Sequence, residues 1–397
     1  MMDRDGTSPF FAICQDLRVR RILVCLLLLV GLPGLVRGVE HITLDRDEGP
    51  RVASGRVLVT AQDGGVLLQS ADGVLWRIEP DEIVKCSADD APFEPLEPDE
   101  LGRQLLEELP DGFNIHTTRH YVILHDTSRA YAQWCGALLE RLFMGFYNYW
   151  SRKGMKLDEP EFPLVAVVFA SREAYAKYSE AEFGTLADAI IGYYSLRSNR
   201  VTMYDLTGVE SLRNAGNRRG SAAQINRMLA RPEAAMAVAT IIHEATHQIA
   251  FNSGLQTRYA DIPLWVSEGI AVFFETPDLQ SARGWRTIGA ISPNRLGQFR
   301  RYLPKRGSTS IESLISDDKR IRDTRTALDA YAEAWALSYY LLNRHPRKYL
   351  AYLRMLSEKK PLLWDDPQTR LAEFKAAFGD DLREFDADFL RYVEKMR

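Results

Sequence analysis

The sequence predicts an α+β fold, because strand patterns precede helix patterns along its 397 residues. A continuous apolar run typical of a buried strand is found in "FPLVAVVFA" (162–170), and earlier segments alternate apolar and polar residues. From Pro263 onward nearly every segment has helical spacing. Hydrophobic residues make up 46% of the chain and charged residues 26%, as in ordinary globular proteins. Strands followed by helices in one unit favour an α+β architecture.

The N-terminus has the order of a secretory signal. Basic residues precede the apolar run "ILVCLLLLV" (22–30), and "GLPGLVRG" follows, with Gly38 at the expected cleavage point. Gly31 and Pro33 break the run, so it falls short of the roughly 20 residues of a membrane span. We therefore predict a signal peptide over 1–38 and an extracytoplasmic protein, secreted or periplasmic, with no stable membrane insertion after cleavage. An uncleaved N-terminal anchor is the alternative.

Three parts follow the predicted leader. Residues 39–90 predict a small antiparallel β module, in which alternation around "DGG" and "ADG" at 55–84 indicates about three strands. Residues 91–98 are acidic and rich in proline, which is typical of a linker. Residues 99–397 form the predicted main domain, with a helical subdomain from about 263.

The first half of the main domain mixes helices and strands. Helical spacing is found in "LGRQLLEEL" (101–109) and in "AYAQWCGALLERLFMGFYNYW" (130–150). Two strands are predicted over 113–127, and a hairpin that turns at "RSN" is predicted over 190–206. We interpret the histidines of the first strand pair as surface or core residues: His116, His120 and His125.

Charge and cysteine content exclude some classes of protein. A net charge of −4 and a pI of about 6.1 give no reason to expect a nucleic-acid partner. Once the leader is removed, Cys86 and Cys135 remain, either as a disulfide or as two buried free thiols.

A histidine motif lies in the helix predicted over 231–254, which starts at Pro232. His243 and His247 are one turn apart on one face, so both rings can reach a single ion. Glu244 lies about 100° around the helix, next to the ion without having to bind it. Zinc hydrolysis needs this arrangement: two neutral imidazoles on the metal and a carboxylate that takes the proton of the zinc-bound water. The motif predicts one Zn²⁺ per chain, with Glu244 as the general base.

A third ligand is expected because catalytic zinc sites use three protein groups and keep a fourth position open. Glu268 is the candidate, since it lies among apolar residues of the second predicted helix, "PLWVSEGIAVFFE" (263–275). Glu275 either orients a ligand histidine or marks the exposed end of that helix. Asp261 is interpreted as the N-cap of the helix.

The motifs "HEATHQ" and "WVSEGIA" resemble those of the gluzincin metallopeptidases, in which a glutamate ligand on a second helix follows the paired histidines. The wider stretch at about 99–345 is similar to a bacterial family described as domain of unknown function 1570. The resemblance implies a zincin-like fold, with His243, His247 and Glu268 as zinc ligands and Glu244 as general base. The chain has no match to the Gly-x-Met-Glu-Asn segment of gluzincin aminopeptidases, which disfavours exopeptidase activity.

The resemblance also implies a tyrosine that stabilises the oxyanion, and Tyr331, which opens "YAEAWALSYYLLN", is the best candidate. A core tyrosine is the alternative for this position. Zincins lay an extended substrate along a sheet edge, which we expect at 201–206. We predict a secreted zinc endopeptidase that acts on a peptide or protein substrate. The alternatives are a non-catalytic zincin-like binding module of the cell envelope and a cell-wall amidase.

Overall fold

The computed structural model describes residues 38–45, 49–207, 222–276 and 287–397. The predicted leader lies outside the described residues, apart from Gly38. Within the described ranges, no helix combines the length and the apolar character that crossing a membrane requires.

The N-terminal module is a five-stranded antiparallel sheet with strand order β4-β3-β2-β1-β5. The prediction of about three strands was too low. One missed strand lies before the alternating segment, and β5 is an edge strand whose residues are mostly exposed, so it carries no apolar alternation. The strands are β1 (Glu40–Leu44), β2 (Arg51–Thr60), β3 (Val66–Gln69), β4 (Leu75–Ile78) and β5 (Ile83–Ala88).

The main domain contains a mixed five-stranded sheet with strand order β6-β7-β8-β10-β9. Its three central strands run parallel, while the two outer strands are antiparallel to their neighbours. These strands are β6 (Asn114–Thr117), β7 (Tyr121–His125), β8 (Leu164–Phe169), β9 (Gly192–Tyr194) and β10 (Arg200–Tyr204).

The predicted hairpin is present, but the prediction that 201–206 forms the sheet edge was wrong. The second strand of the hairpin, β10, pairs with β8 on one side and with β9 on the other. The edge is therefore β9, because the return strand of the hairpin takes the position next to the parallel core of the sheet.

Helices cover both faces of this sheet, because its strand residues alternate between two hydrophobic cores. Ile123 and Ala166 pack on the side of α2 and α5, whereas Val122 and Val165 pack on the side of α1 and α3. The helices of this part are α1 (Pro98–Glu108), α2 (Arg129–Arg152), α3 (Arg172–Phe183), α4 (Ala222–Leu229) and α5 (Pro232–Asn252).

The rest of the described chain is helical, as the sequence predicted, so the molecule is α+β. In this part α10 lies at the centre and packs against α6 and α7. Its helices are α6 (Leu264–Phe274), α7 (Pro293–Tyr302), α8 (Ser310–Ser316), α9 (Lys319–Arg322), α10 (Ala327–Arg344), α11 (Pro346–Ser357), α12 (Pro367–Phe378) and α13 (Leu382–Glu394).

Asp261 is not the N-cap of α6. The helix starts at Leu264, whose amide donates to Asp318 Oδ1 over 3.0 Å. Asp261 is buried and accepts a 2.9 Å hydrogen bond from Arg370 Nε. A buried carboxylate requires such a cationic partner, and this one comes from a helix far along the chain.

Both described cysteines are free thiols, so the disulfide alternative is not observed among the described residues. Cys135 is buried on α2, as expected of a structural thiol. Cys86 is exposed rather than buried, because it lies on the edge strand β5.

Candidate metal centre

The histidine motif lies in the middle of α5, where the helix is buried on all sides. Ile242 and Ala245 are fully buried next to it, and the His243 side chain has 0% exposure. The apolar run that surrounds the motif in sequence therefore packs as core. The two imidazoles are polar groups inside that core and need partners there.

Three possible ligand atoms converge at this point. His243 Nε2 lies 3.1 Å from His247 Nε2, and Glu268 Oε2 lies 3.0 Å from the first and 3.5 Å from the second. One ligand atom from each residue lies within 4.8 Å of the others, and together they could hold a metal ion. The structure thus brings Glu268, from α6, to the two histidines of α5.

The opposite ring nitrogens of both histidines are also bonded. His243 Nδ1 donates to Glu275 Oε1 over 2.7 Å. Ser267 Oγ donates to Gln256 Oε1 over 3.0 Å, so it accepts from His247 Nδ1 at 3.2 Å. With Nδ1 protonated in this way, the neutral form of either ring presents an Nε2 lone pair to the point of convergence.

Glu275 is the residue that orients His243, and the alternative of an exposed helix end was wrong. Its side chain is 5% exposed, and Arg295 Nη2 donates to it over 2.9 Å. Arg295 was not recognised from the sequence, and nothing local in α7 singles it out. Ser267 and Gln256 were also missed, although Ser267 is next to Glu268 in the motif.

Charge is concentrated in this buried cluster. Burial lowers the pKa of His243, but hydrogen bonds to Glu268 and Glu275 outweigh it and raise the pKa to about 10. Burial raises the pKa of Glu268, yet the charge and hydrogen bonds of the two histidines hold it well below its usual range. Two buried carboxylates therefore favour positive charge beside Glu268.

Glu244 lies beside the cluster and points toward the sheet. Its Oε2 accepts a 3.0 Å hydrogen bond from the amide of Tyr194, the last residue of the edge strand β9. Burial raises the pKa of this carboxyl to about 8, against the lowering effect of His243. The carboxyl group is thus held by the edge strand β9.

Tyr331 also lies in this neighbourhood. Its ring centroid is 6.4 Å from that of His243, and Arg295 Cζ lies 6.0 Å from the Tyr331 ring centroid. It lies near the start of α10, which packs closely on α6. The structure places Tyr331 beside the cluster of His243, His247 and Glu268, and its role at the oxyanion stays a prediction.

The three histidines of the first strand pair are elsewhere. His120 Nδ1 donates to Glu140 Oε2 over 2.7 Å, and the His120 ring stacks on Phe143. His125 Nδ1 donates to the Thr127 carbonyl over 3.1 Å. Neither they nor His116 belong to the converging cluster.

Residues 237–363 match the family described as protein of unknown function (DUF1570). This segment includes the histidine motif, Glu268, Glu275 and Tyr331, and it supports the resemblance to that family. The strands of the main domain lie outside the match. Among curated proteins, no match to this chain is found.

Proposed function

We propose that this protein is a zinc-dependent endopeptidase of the gluzincin type with a zincin-like fold. The convergence of His243 Nε2, His247 Nε2 and Glu268 Oε2, with Glu244 beside them, is the observation that supports the proposal. Three protein ligands and an adjacent carboxylate are the composition of hydrolytic zinc sites.

The donor set fits zinc well. Two imidazole nitrogens and one carboxylate oxygen are borderline ligands of the kind that zinc prefers. Glu275 bonds the far side of the His243 ring, as expected for a ligand histidine that needs a fixed orientation. A divalent cation would also supply the positive charge that the buried Glu268 and Glu275 favour.

When bound, zinc would polarise the substrate carbonyl and lower the pKa of water to about 7. Glu244 would take a proton from the attacking water and then give it to the leaving amine. The Tyr194 amide holds Glu244 in place for both transfers. The Tyr331 hydroxyl would donate to the oxygen that gains negative charge.

An extended peptide is the proposed substrate. The edge strand β9 ends at the residue that bonds Glu244, and a sheet edge binds extended peptides by adding them as a further strand. Endopeptidase action is favoured because the chain lacks the Gly-x-Met-Glu-Asn segment that would hold a substrate amine. The predicted signal peptide makes an extracytoplasmic substrate the natural one.

The test combines metal analysis with cleavage of a peptide library. Residues 39–397 and the variant Glu244→Gln are each loaded with zinc, and bound metal and cleaved peptides are measured. We expect one zinc per chain in both proteins and cleavage by the wild type alone, because Glu244 moves protons without binding the metal. The matched control is Glu394→Gln, which makes the same change at an exposed position and should cleave normally.

Each other result contradicts a distinct part of the proposal. Loss of zinc from Glu244→Gln would make Glu244 a ligand instead of the base. Full zinc occupancy without cleavage of any peptide by the wild type would favour the non-catalytic binding module. Cleavage of cell-wall fragments in place of peptides would favour an amidase.

A further inference from the structure

The N-terminal module has too small a core to stand as an independent unit. Its hydrophobic cluster contains five buried residues: Ile42, Leu44, Ala53, Leu68 and Ile78. A core of this size supplies little stability, and small domains usually need additional contacts. The contacts between the module and the main domain show where that support lies.

The turn between β3 and β4, residues 70–74, carries much of the contact with the main domain. At the start of β4, the Leu75 amide donates to the Arg197 carbonyl over 2.8 Å. Arg197 belongs to the turn at 195–199 that joins β9 to β10. The Leu96 amide, in the connecting segment 91–98, donates to the Ala71 carbonyl over 2.8 Å. The module is therefore docked against the turn next to the edge strand.

Arg258 lies at the centre of this junction. Its side chain is mostly buried, with the residue 8% exposed, and its Nη1 donates to the Gly73 carbonyl over 3.0 Å and to the Leu196 carbonyl over 3.2 Å. Both acceptors are main-chain carbonyls, and the Asp72 carboxylate acts on the Arg258 charge from nearby. A buried guanidinium is costly unless acceptors surround it, so it holds both carbonyls tightly.

The turn that Arg258 holds is connected to Glu244. Tyr194, directly before the turn, donates its amide to Glu244 Oε2. At the other end of the turn, the Asn199 carbonyl accepts a 2.8 Å hydrogen bond from Gln248 Nε2 of α5. Both ends of the turn are thus attached to the histidine helix α5, while its middle is attached to the module through Arg258.

We infer that Arg258 is a positioning residue that uses the N-terminal module to hold β9 in register beside Glu244. This inference rests on the proposed function for its catalytic consequence, but the structural link holds independently of any activity. The module then acts as a brace for the substrate-binding edge instead of a separate binding domain.

Amide hydrogen exchange tests the link without any need for catalysis. In the zinc-loaded chain, Arg258→Met keeps the apolar stem and removes both hydrogen bonds. We expect exchange over 192–204 and 70–78 to become about tenfold faster, because two bonds that close the junction are lost. Exchange over β7 and β8 should not change, and zinc content should stay at one per chain.

One variant at the same position and one at a distant position serve as controls. Arg258→Lys keeps the charge and can still donate to the carbonyls, so it should restore most of the protection. Arg383→Met makes the same change at an exposed position of α13 and should leave exchange over 192–204 as in the wild type. Unchanged exchange over 192–204 in Arg258→Met, or a uniform rise across the chain, would overturn the inference.

Gly73→Ala gives a second route if Arg258→Met fails to fold. Gly73 has φ +82°, a conformation that alanine adopts only with strain, and an added Cβ would lie 3.2 Å from Phe162 Cγ. We expect the strained backbone to displace the acceptor carbonyl while Arg258 is kept. The same local loss of protection over 192–204 is expected, and protection equal to the wild type would contradict the inference.

A measurement of peptide cleavage distinguishes failure of this inference from failure of the proposed function. If the wild type cleaves peptides, Arg258→Met should lower kcat/KM about tenfold, mainly through KM, because the peptide-binding edge is less ordered. If the wild type cleaves no peptide but exchange responds as expected, the positioning role of Arg258 is supported and the proposed function is contradicted. A loss confined to kcat with unchanged exchange would contradict the brace.

Discussion

Glu275 is the residue on which the orientation of His243 depends. Its carboxylate bonds His243 Nδ1 and is itself held by Arg295. Carboxylates in this position usually contribute a factor of 10–100 to metal affinity. The interaction joins the C-terminal end of α6 to the middle of α5. Its effect is best measured as a change in metal affinity.

We predict that Glu275→Ala lowers zinc affinity by about 10–100-fold, because the His243 ring loses its anchor. The measurement is a competition titration with a chromophoric chelator, with Glu394→Ala as the exposed control. Unchanged affinity would mean that packing in α5 alone orients the ring.

A second prediction at this scale concerns the Tyr331 hydroxyl. Tyr331→Phe should lower turnover by about two orders of magnitude, the effect of losing one oxyanion donor, while zinc content and Tm stay the same. Tyr339→Phe on the same helix is the matched control, because its ring packs on Trp335 and Tyr392. Equal turnover in Tyr331→Phe and Tyr339→Phe would contradict a role at the oxyanion and would favour a packing role for Tyr331.

The pairing of α6 with α10 sets the position of Glu268. Gly269, the next residue, lets the two helices approach closely: an added Cβ would lie 2.7 Å from the Ala334 carbonyl oxygen, nearer than atoms can pack. Side chains of ordinary size at this point would push α6 away from α10. The position of a candidate ligand thus depends on a residue that binds nothing.

Gly269→Ala is therefore expected to lower the free energy of unfolding by about 1–3 kcal/mol, the usual cost of overpacking. It should also weaken zinc binding, because Glu268 moves with the helix. Gly297→Ala in α7 is the control, since its Cβ would meet only Arg301 Nη1, at an ordinary 3.5 Å. Urea unfolding and zinc titration measure both effects. A Gly269→Ala protein as stable as the Gly297→Ala protein would contradict the close approach.

At the scale of the whole molecule, the cluster joins α5, which lies against the sheet, to the helical part that begins with α6. A metal that binds only the folded chain stabilises it in proportion to its affinity, by about 2.7 kcal/mol at a free concentration of 100 Kd. Bound zinc should therefore connect the two halves of the main domain energetically.

We predict that chelation lowers the Tm of the wild type and that added zinc restores it. His247→Ala, which lacks one of the three converging groups, should show no such dependence on chelator. Calorimetry with and without chelator measures the difference. Identical melting of the wild type in both conditions would show that no structural or catalytic zinc is bound.

The sequence by itself determined what is local. Helical spacing and the terminal signals of α5 placed His243, Glu244 and His247 on one helix with nearly correct bounds. The apolar neighbours of Glu268 indicated a buried carboxylate, and the structure brings it to the histidines. Helix formation and the burial of one helix face depend on residues close to each other along the chain, and the spacing of apolar residues indicates both.

Only the tertiary structure decided which distant groups meet. Asp261 pairs with Arg370, which lies 109 residues further along the chain, and Glu275 pairs with Arg295, 20 residues further along. The edge position of β9 likewise depends on the order of the strands in the whole sheet. Strand order and the choice of an ion partner result from how the helices pack on the sheet. Since several pairings satisfy the same local pattern, the lowest free energy of the whole chain selects among them.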